Sequence, residues 1–378
     1  MHTPQYSSEA LPTCNVNPGF DIFKVVIQVK RLAAHSWEYG TAAQALLELY
    51  NPSLSVFSAA PFPADKVPSV AISSTDSLVY VKPHIRVDGE TLILDDWGVS
   101  DPAALGVSAI LIGQTELQYL HAARRQVEYL LKSAPRLQNG AISHRRGIVE
   151  LWADFGYMVP PFLAYYSVVS NDLAVMKEAV LQCTLYRQIL LNNPSGSERG
   201  LWHHIVGPEK QDLGFWSTSN GWMAAGMTRV LATICKWGPA AGTMQGEQKL
   251  LVRYIREIIS GVMRVDDDAE TGLLRNYLAD ESWFREISGT ALLASVVYRM
   301  VMLAPAEFGK HDIEWADNKR KAVLQHINAE TGIAAPAVQP LNHLLREPLV
   351  SGSPEGQSFV LLMYTAWRDC VLEGNCEE

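Results

Sequence analysis

The sequence predicts an all-α chain folded as an (α/α)6 toroid of helical hairpins, and three observations carry the prediction. Four turns repeat a glycine followed by apolar residues: Gly140-Ala141-Ile142, Gly200-Leu201-Trp202, Gly272-Leu273-Leu274 and Gly332-Ile333-Ala334, spaced 60, 72 and 60 residues apart. A charged, amphipathic helix candidate precedes each turn, and a helix rich in small and apolar residues follows it, the pattern that an outer and an inner ring require. A period of roughly 65 residues then fits about six hairpins into the 378-residue chain.

Taken in order, residues 20–34 and 37–50 form a first helical pair, and 102–113 reads as a further inner helix. Between them, 51–97 holds prolines, a Ser/Thr patch and Leu92-Ile93-Leu94; an outer helix or a short strand pair fits there. The outer helices are expected at 116–133, 172–191, 246–263 and 312–328. The inner ones are expected at 161–169, 220–235, 287–303 and 356–371. No low-complexity linker divides the chain, so 1–378 is expected to be one catalytic domain, with 1–19 as an extended leading segment.

Composition narrows the function. With 48% hydrophobic and 19% charged residues the chain can bury a large core. It contains no run of about 18 apolar residues, so a membrane span is not expected. A formal net charge of −9 and no long basic run exclude nucleic acid and anionic membrane surfaces as natural partners. Five cysteines, at 14, 183, 235, 370 and 376, show no CxxC spacing and make neither zinc nor a disulfide framework. The start, Met1-His2-Thr3-Pro4, lacks a basic and then apolar leader. A cytoplasmic monomer is therefore expected, or a secreted one whose leader has been removed.

The densest chemical signal is Trp152-Ala153-Asp154, followed by Phe155-Gly156-Tyr157-Met158-Val159-Pro160-Pro161-Phe162. An acid embedded in apolar and aromatic residues is expected to have a raised pKa and to hold a proton, the state a general acid needs. The same Asp could instead cap the following helix. Asp101 stands before Pro102 in a strong helix start, where capping accounts for it by itself. A capping Asp at a helix N-terminus stays ionised, however, and across a cavity its charge would push Asp154 further up. His144-Arg145-Arg146 is the basic cluster beside Asp154. Trp37, Tyr39, Trp152, Trp202, Trp216 and Trp222 fall at turns or inner-helix starts; each alone reads as core, while together they could line a sugar site. His203-His204 has no metal-ligand spacing around it. Asp266-Asp267-Asp268-Ala269-Glu270 matches DDxxE but runs straight into the Thr271-Gly272 turn, where a solvated acidic turn is the better account.

Residues 140–162, the turn Gly200-Leu201-Trp202-His203-His204 and the stretch Phe215-Trp216-Ser217-Thr218-Ser219-Asn220-Gly221-Trp222 together resemble glycoside hydrolase family 105. These are the unsaturated rhamnogalacturonyl hydrolases, related to the unsaturated glucuronyl hydrolases of family 88. Glu286-Ile287-Ser288-Gly289 and Glu355-Gly356-Gln357-Ser358-Phe359 look like later motifs of the same family. The resemblance implies a metal-free, cofactor-free hydration of the 4,5-unsaturated uronic acid left on pectin-type oligosaccharides by lyases. Protonation at C4 gives an oxocarbenium-like C5, water adds there, and the hemiketal opens and releases the next sugar. It implies Asp154 as acid/base and Asp101 as second carboxylate. Tyr39, His144, Arg145, Trp152, His204, Trp216, Asn220 and Trp222 are implied at the sugar site. Bacterial members often carry Arg where this chain has Thr218, so Arg145 is expected to take over the substrate's charge. Two other readings are an inverting glycosidase with paired carboxylates and a non-catalytic sugar-binding toroid.

Overall fold

In the computed structural model, which describes residues 16–94, 98–191, 196–267 and 270–378, helices close into a ring. Six inner elements pack each on the next: Ser36–Tyr50, the short 3-10 turn Asp101–Leu105 with Gly106–Gly113, Phe155–Ser170, Ser217–Lys236, Ile287–Leu303 and Pro354–Leu372. The last packs against the first, which closes the toroid. Outside them lie Ile22–Leu32, Asp76–Val81, Leu117–Glu128, Leu173–Leu190, Gln245–Val265 and Lys310–Gln325. The chain is an all-α (α/α)6 toroid.

The two rings differ as their sequences do. Gln245–Val265 buries only one stripe (Leu251, Tyr254, Ile255, Ile258, Ile259 and Val262), whereas Ile287–Val301 is buried at every position. Small residues let the inner helices close up. A side chain at Gly226 would collide with the backbone carbonyl of Gly156 on the neighbouring helix. All four repeat glycines (140, 200, 272 and 332) adopt positive φ, so what recurs along the chain is a backbone geometry as well as a run of letters.

Three expectations need correcting. The inner helix placed at 161–169 begins at Phe155 and runs through Pro160-Pro161. As its sixth and seventh residues they lie past the first turn and leave the Gly156 and Tyr157 carbonyls without their helical donors; Arg229 donates to the Tyr157 carbonyl instead (3.3 Å). The outer element between the first two inner ones shrinks to the six residues Asp76–Val81, flanked by 3-10 turns. No strand pair forms there among the described residues; the short strands lie at 151–152, 205–206, 274–275 and 285–286. Third, Cys370 in the last turns of the last inner helix forms a disulfide with Cys376 just beyond it, which removes the cysteine ground for an intracellular chain. Residues 1–15, including Cys14 and most of the expected leading segment, lie outside the described residues.

The inner helices all start at the same end of the ring. At the opposite end, buried Arg299 bonds Glu48 (2.8 Å) and Asp369 (2.6 Å), tying three inner helices together. The acidic turn at 266–267 is also structural. Asp266 takes the Trp315 indole (2.7 Å) and Lys319 (2.5 Å), and Asp267 pairs with Arg275 and Arg285. It is therefore partly buried in ion pairs rather than a freely solvated turn. Asp268 and Ala269 lie outside the described residues.

Candidate active site

A cavity of about 710 Å³ opens at the end where the inner helices start. Such a volume lies in the range of small-ligand pockets. Asp101, His144, Arg145, Trp152 and Asp154 stand in its wall, together with Trp37, Lys210, Asp212, His343 and Glu355.

Two short strands set the central residues. Leu151–Trp152 pairs antiparallel with Ile205–Val206, and the Ala153 amide donates to the His204 carbonyl (2.9 Å). This pairing places Asp154 beside His204 although fifty residues separate them. The hairpin continues with Ile205 and Asp212 exchanging both backbone bonds, which swings the Asp212 carboxylate onto the same imidazole. Glu150, fully buried, anchors the loop between them by accepting from the amides of Glu209 (2.8 Å) and Lys210 (2.7 Å) and from the Trp152 indole (3.2 Å).

His204 thus lies between two carboxylates. Its Nδ1 is 2.9 Å from Asp212 Oδ2, and its Nε2 is 3.5 Å from Asp154 Oδ2. Tyr277 donates its hydroxyl to the same Asp212 oxygen, and the Gly214 amide donates to the other (2.9 Å). Burial works against a charged His204, yet the two carboxylates outweigh it and raise its pKa. Burial likewise works to raise Asp154, but His204, whose Nε2 lies 3.5 Å away without a formed hydrogen bond, and then His144 bring it below its ordinary value. The sequence expectation of a proton-holding Asp154 is therefore reversed: the apolar flanks are real, but an imidazolium contributed from another loop overrides them. Asp212 itself is held far below the carboxylate range once His204 and Tyr277 overcome its burial.

Asp101 pairs with the other histidine, which packs on the same Trp152 as His204 does. His144 Nε2 lies 3.8 Å from Asp101, while Nδ1 bonds the Ser100 hydroxyl at 2.7 Å. Burial drives this imidazole down to about 4, so it is neutral at pH 7. It stacks on Trp152 with ring centres 4.7 Å apart. Asp101 does not cap as expected. It is the first residue of the 3-10 turn, behind Ser100, and no side-chain cap bond forms there. Asp154 holds the N-cap position of its helix, again without a side-chain cap bond.

The remaining expected residues divide. Trp216 packs tilted against His204, ring centres 4.5 Å apart, and gives its indole N–H to Asn276 (2.7 Å), so it braces the site from behind. Asn220 serves the backbone, accepting from the Trp202 amide and donating to the carbonyls of Trp202 and Trp216. Trp222 is fully buried between Tyr157 and Phe359, and Thr218 is fully buried in the first turn of its helix. Tyr39 stacks on His84 at 3.6 Å. Asn220, Trp222, Thr218 and Tyr39 all stand outside the cavity wall. The helix start at 217–222 is spent on packing and on closing the preceding turn. Arg145 is in the wall but engaged, reaching Glu209 at 2.6 Å and Glu150 at 3.3 Å, so it meets any anionic substrate with its charge already shared.

Sequence reading missed Asp212, His343 and Glu355. His343 packs edge-on against Trp152 and His204, and burial lowers it to about 4. Ring atoms of His204 and His343 and an Asp212 oxygen lie within 4.8 Å of one another. That spacing could bridge a cation, but the Asp212 oxygen already accepts from His204 and Tyr277, and the trio reads as an orienting network. The sequence signal available for Glu355 was its place one residue into an inner helix, the position Trp37 also holds.

The chain is thus an (α/α)6 ring with a carboxylate-rich, aromatic-walled cavity where its inner helices start. The chain belongs to Glycosyl Hydrolase Family 88, whose family model matches residues 81–366. It is 24% identical over 208 residues to the unsaturated rhamnogalacturonyl hydrolase YesR of Bacillus subtilis; the match covers 51% of this chain and 58% of that protein. Its fold is like that of a possible GH105 member from Salmonella enterica serovar Paratyphi A, with TM-score 0.73, 17% identity and 98% and 99% of the two chains covered. A second possible GH105 member, from Klebsiella pneumoniae, superposes with TM-score 0.72 at 18% identity, covering 92% of each chain. At these identities the structural likeness shows the fold alone.

Proposed function

We propose that the chain removes the 4,5-unsaturated uronic acid from the end of lyase-generated, pectin-type oligosaccharides, by hydration of the double bond. The observation that carries this reading is Asp154 in the wall of the cavity, paired with His204 behind it, with Asp101 and neutral His144 in the same wall. An enol ether needs one proton at C4 and one water at C5. Asp154, with His204 Nε2 3.5 Å away to share a proton, is placed to deliver one to C4 and to draw one from that water. Lys210, backed by the shared charge of Arg145, offers a cation toward a uronate carboxylate. The match to YesR supports the substrate class, and rhamnose is the neighbouring sugar that this match favours.

Reaction in heavy water tests the reading. Hydration places one non-exchangeable deuterium at C4 of the released product and abolishes the ultraviolet absorbance of the conjugated double bond. A conventional inverting glycosidase delivers its proton to the leaving oxygen and water to C1, leaving C4 unlabelled. Cleavage of saturated oligosaccharides without label at C4 would overturn the proposal in favour of that chemistry.

A further inference from the structure

One carboxyl group in the cavity wall is buried, yet the protein satisfies only half of it. Glu355 lies in the first turn of the helix Pro354–Leu372 and is 3% exposed. The Trp37 indole donates to its Oε1 at 3.0 Å, while its Oε2 is buried without a hydrogen-bond partner. No cation pairs with it among the described residues, and the charges acting on it, from Asp154, Glu38 and Glu286, are all acidic. A buried acceptor without a donor is costly, and in a cavity wall the ligand can supply the donor.

The surroundings decide which part of the ligand does so. Burial among acids repels a uronate carboxylate, which must turn instead toward Lys210 and Arg145 in the same wall. On a 4,5-unsaturated uronide, C5 bears that carboxylate, C4 has no hydroxyl and C1 carries the next sugar. The hydroxyls left are those at C2 and C3, and C2 stands directly across the ring from C5. Asp154, the acid whose charge acts most on Glu355, works at C4 and C5. Glu355 therefore faces this ring rather than the sugar beyond it.

We propose that the Glu355 carboxyl accepts a hydrogen bond from the C2 hydroxyl of the unsaturated uronide, and so restricts the substrate to uronides whose C2 hydroxyl is free. The inference rests on the hydration reading and leaves the acid/base role with Asp154. Cations hold the carboxylate edge of the ring and Glu355 holds the hydroxyl edge, so C4 and C5 meet Asp154 in a single orientation. An ester at O2 removes the donor, and a sulfate ester also sets an anion against a buried carboxyl.

The test measures kcat/KM from the double-bond absorbance, for wild type and Glu355→Gln, on an unsaturated disaccharide and on its 2-deoxy analogue. Gln keeps an acceptor for Trp37 but turns an NH2 donor toward the cavity. On the parent disaccharide the variant should lose about 10–150-fold in kcat/KM, chiefly through KM because the contact already exists in the bound substrate. On the 2-deoxy analogue the same substitution should cost no more than about twofold, since the hydroxyl it acts on is gone. Glu355→Ala carries the same comparison if the Gln variant does not fold. Equal losses on the two substrates make Glu355 a structural residue and overturn the proposal. So does a variant within about twofold of wild type on the parent disaccharide. Wild type should also turn over a 2-O-sulfated uronide at least about tenfold more slowly than the free one; equal rates overturn the restriction to a free C2 hydroxyl. A wild type that leaves the absorbance of all these substrates untouched defeats the hydration reading itself. A wild type that hydrates them beside equal losses in the variant defeats only the role of Glu355.

Discussion

Two aspartate–histidine pairs stand in and around the same cavity, and they are in opposite charge states. Asp154 and His204 are 3.5 Å apart; Asp101 and His144 are 3.8 Å apart; both imidazoles are buried. His204 is raised and His144 is lowered to about 4. What differs is the group behind each ring. Asp212 stands behind His204 as a second carboxylate, whereas Ser100 offers His144 only a hydroxyl. At His204 the two carboxylates outweigh burial; at His144 burial prevails over Asp154 and Glu150, helped by the nearby cations His204 and Arg145. The pair with the extra acid becomes an ion pair poised for proton transfer. The other remains a neutral, polar surface stacked on Trp152, suited to hydrogen-bonding a sugar.

Breaking the charged pair at its acid should have the largest effect. Asp154→Asn preserves shape but cannot accept a proton from water, so kcat should fall about 10²–10⁴-fold while the far-ultraviolet circular dichroism stays unchanged. Near-normal turnover in a folded variant would remove Asp154 from the mechanism.

The carboxylate behind the ring is the next lever. Asp212→Asn keeps a hydrogen-bond acceptor for His204 and removes the charge. His204 then loses part of what raises it, and burial of Asp154 goes less opposed. Because Asp154 is depressed in the native site, its active, ionised form is lost as pH falls through its folded pKa. Raising that pKa moves the acid limb of kcat/KM toward higher pH. The expected loss at neutral pH is smaller than for Asp154→Asn, and it should shrink as pH rises. A variant whose acid limb stays in place would show that Asp212 only positions the loop.

Much of the ring was legible, because it rests on periodicity. Small inner helices, charged outer helices and a glycine at each turn are local facts, and the four glycines take the positive φ that their recurrence suggests. The weak outer element at Asp76–Val81 was illegible because six residues carry almost no helical period. At the site, residues before or at inner-helix starts, such as Asp101 and Asp154, were readable as wall candidates. Their charge states were not. The apolar flanks of Asp154 describe its desolvation but not the imidazole that arrives from a loop fifty residues on. Asp212 and His343 sit in loops with no periodic signal, and only the hairpin from Ile205 to Asp212 brings the first of them to His204. Thr218, Asn220 and Trp222 erred the other way, since a motif can recur for packing as well as for contact with a ligand.

The smallest effect sharpens the comparison from the neutral side. Ser100→Ala removes the hydroxyl bonded to His144 Nδ1 and leaves that nitrogen buried without its partner. The cost should appear as stability, about 1–3 kcal/mol in chemical denaturation. The charge of His144 should not change, since burial is what lowers it and the deletion leaves burial in place. Both limbs of the pH–rate profile should therefore stay where they are, with kcat within about twofold of wild type at saturating substrate. Ser100→Ala and Asp212→Asn thus remove the partner behind one imidazole each, but only the latter should move a titration. If Ser100→Ala shifts the acid limb as Asp212→Asn does, His144 takes part in the proton chemistry, and the division of the cavity into a charged and a neutral pair fails.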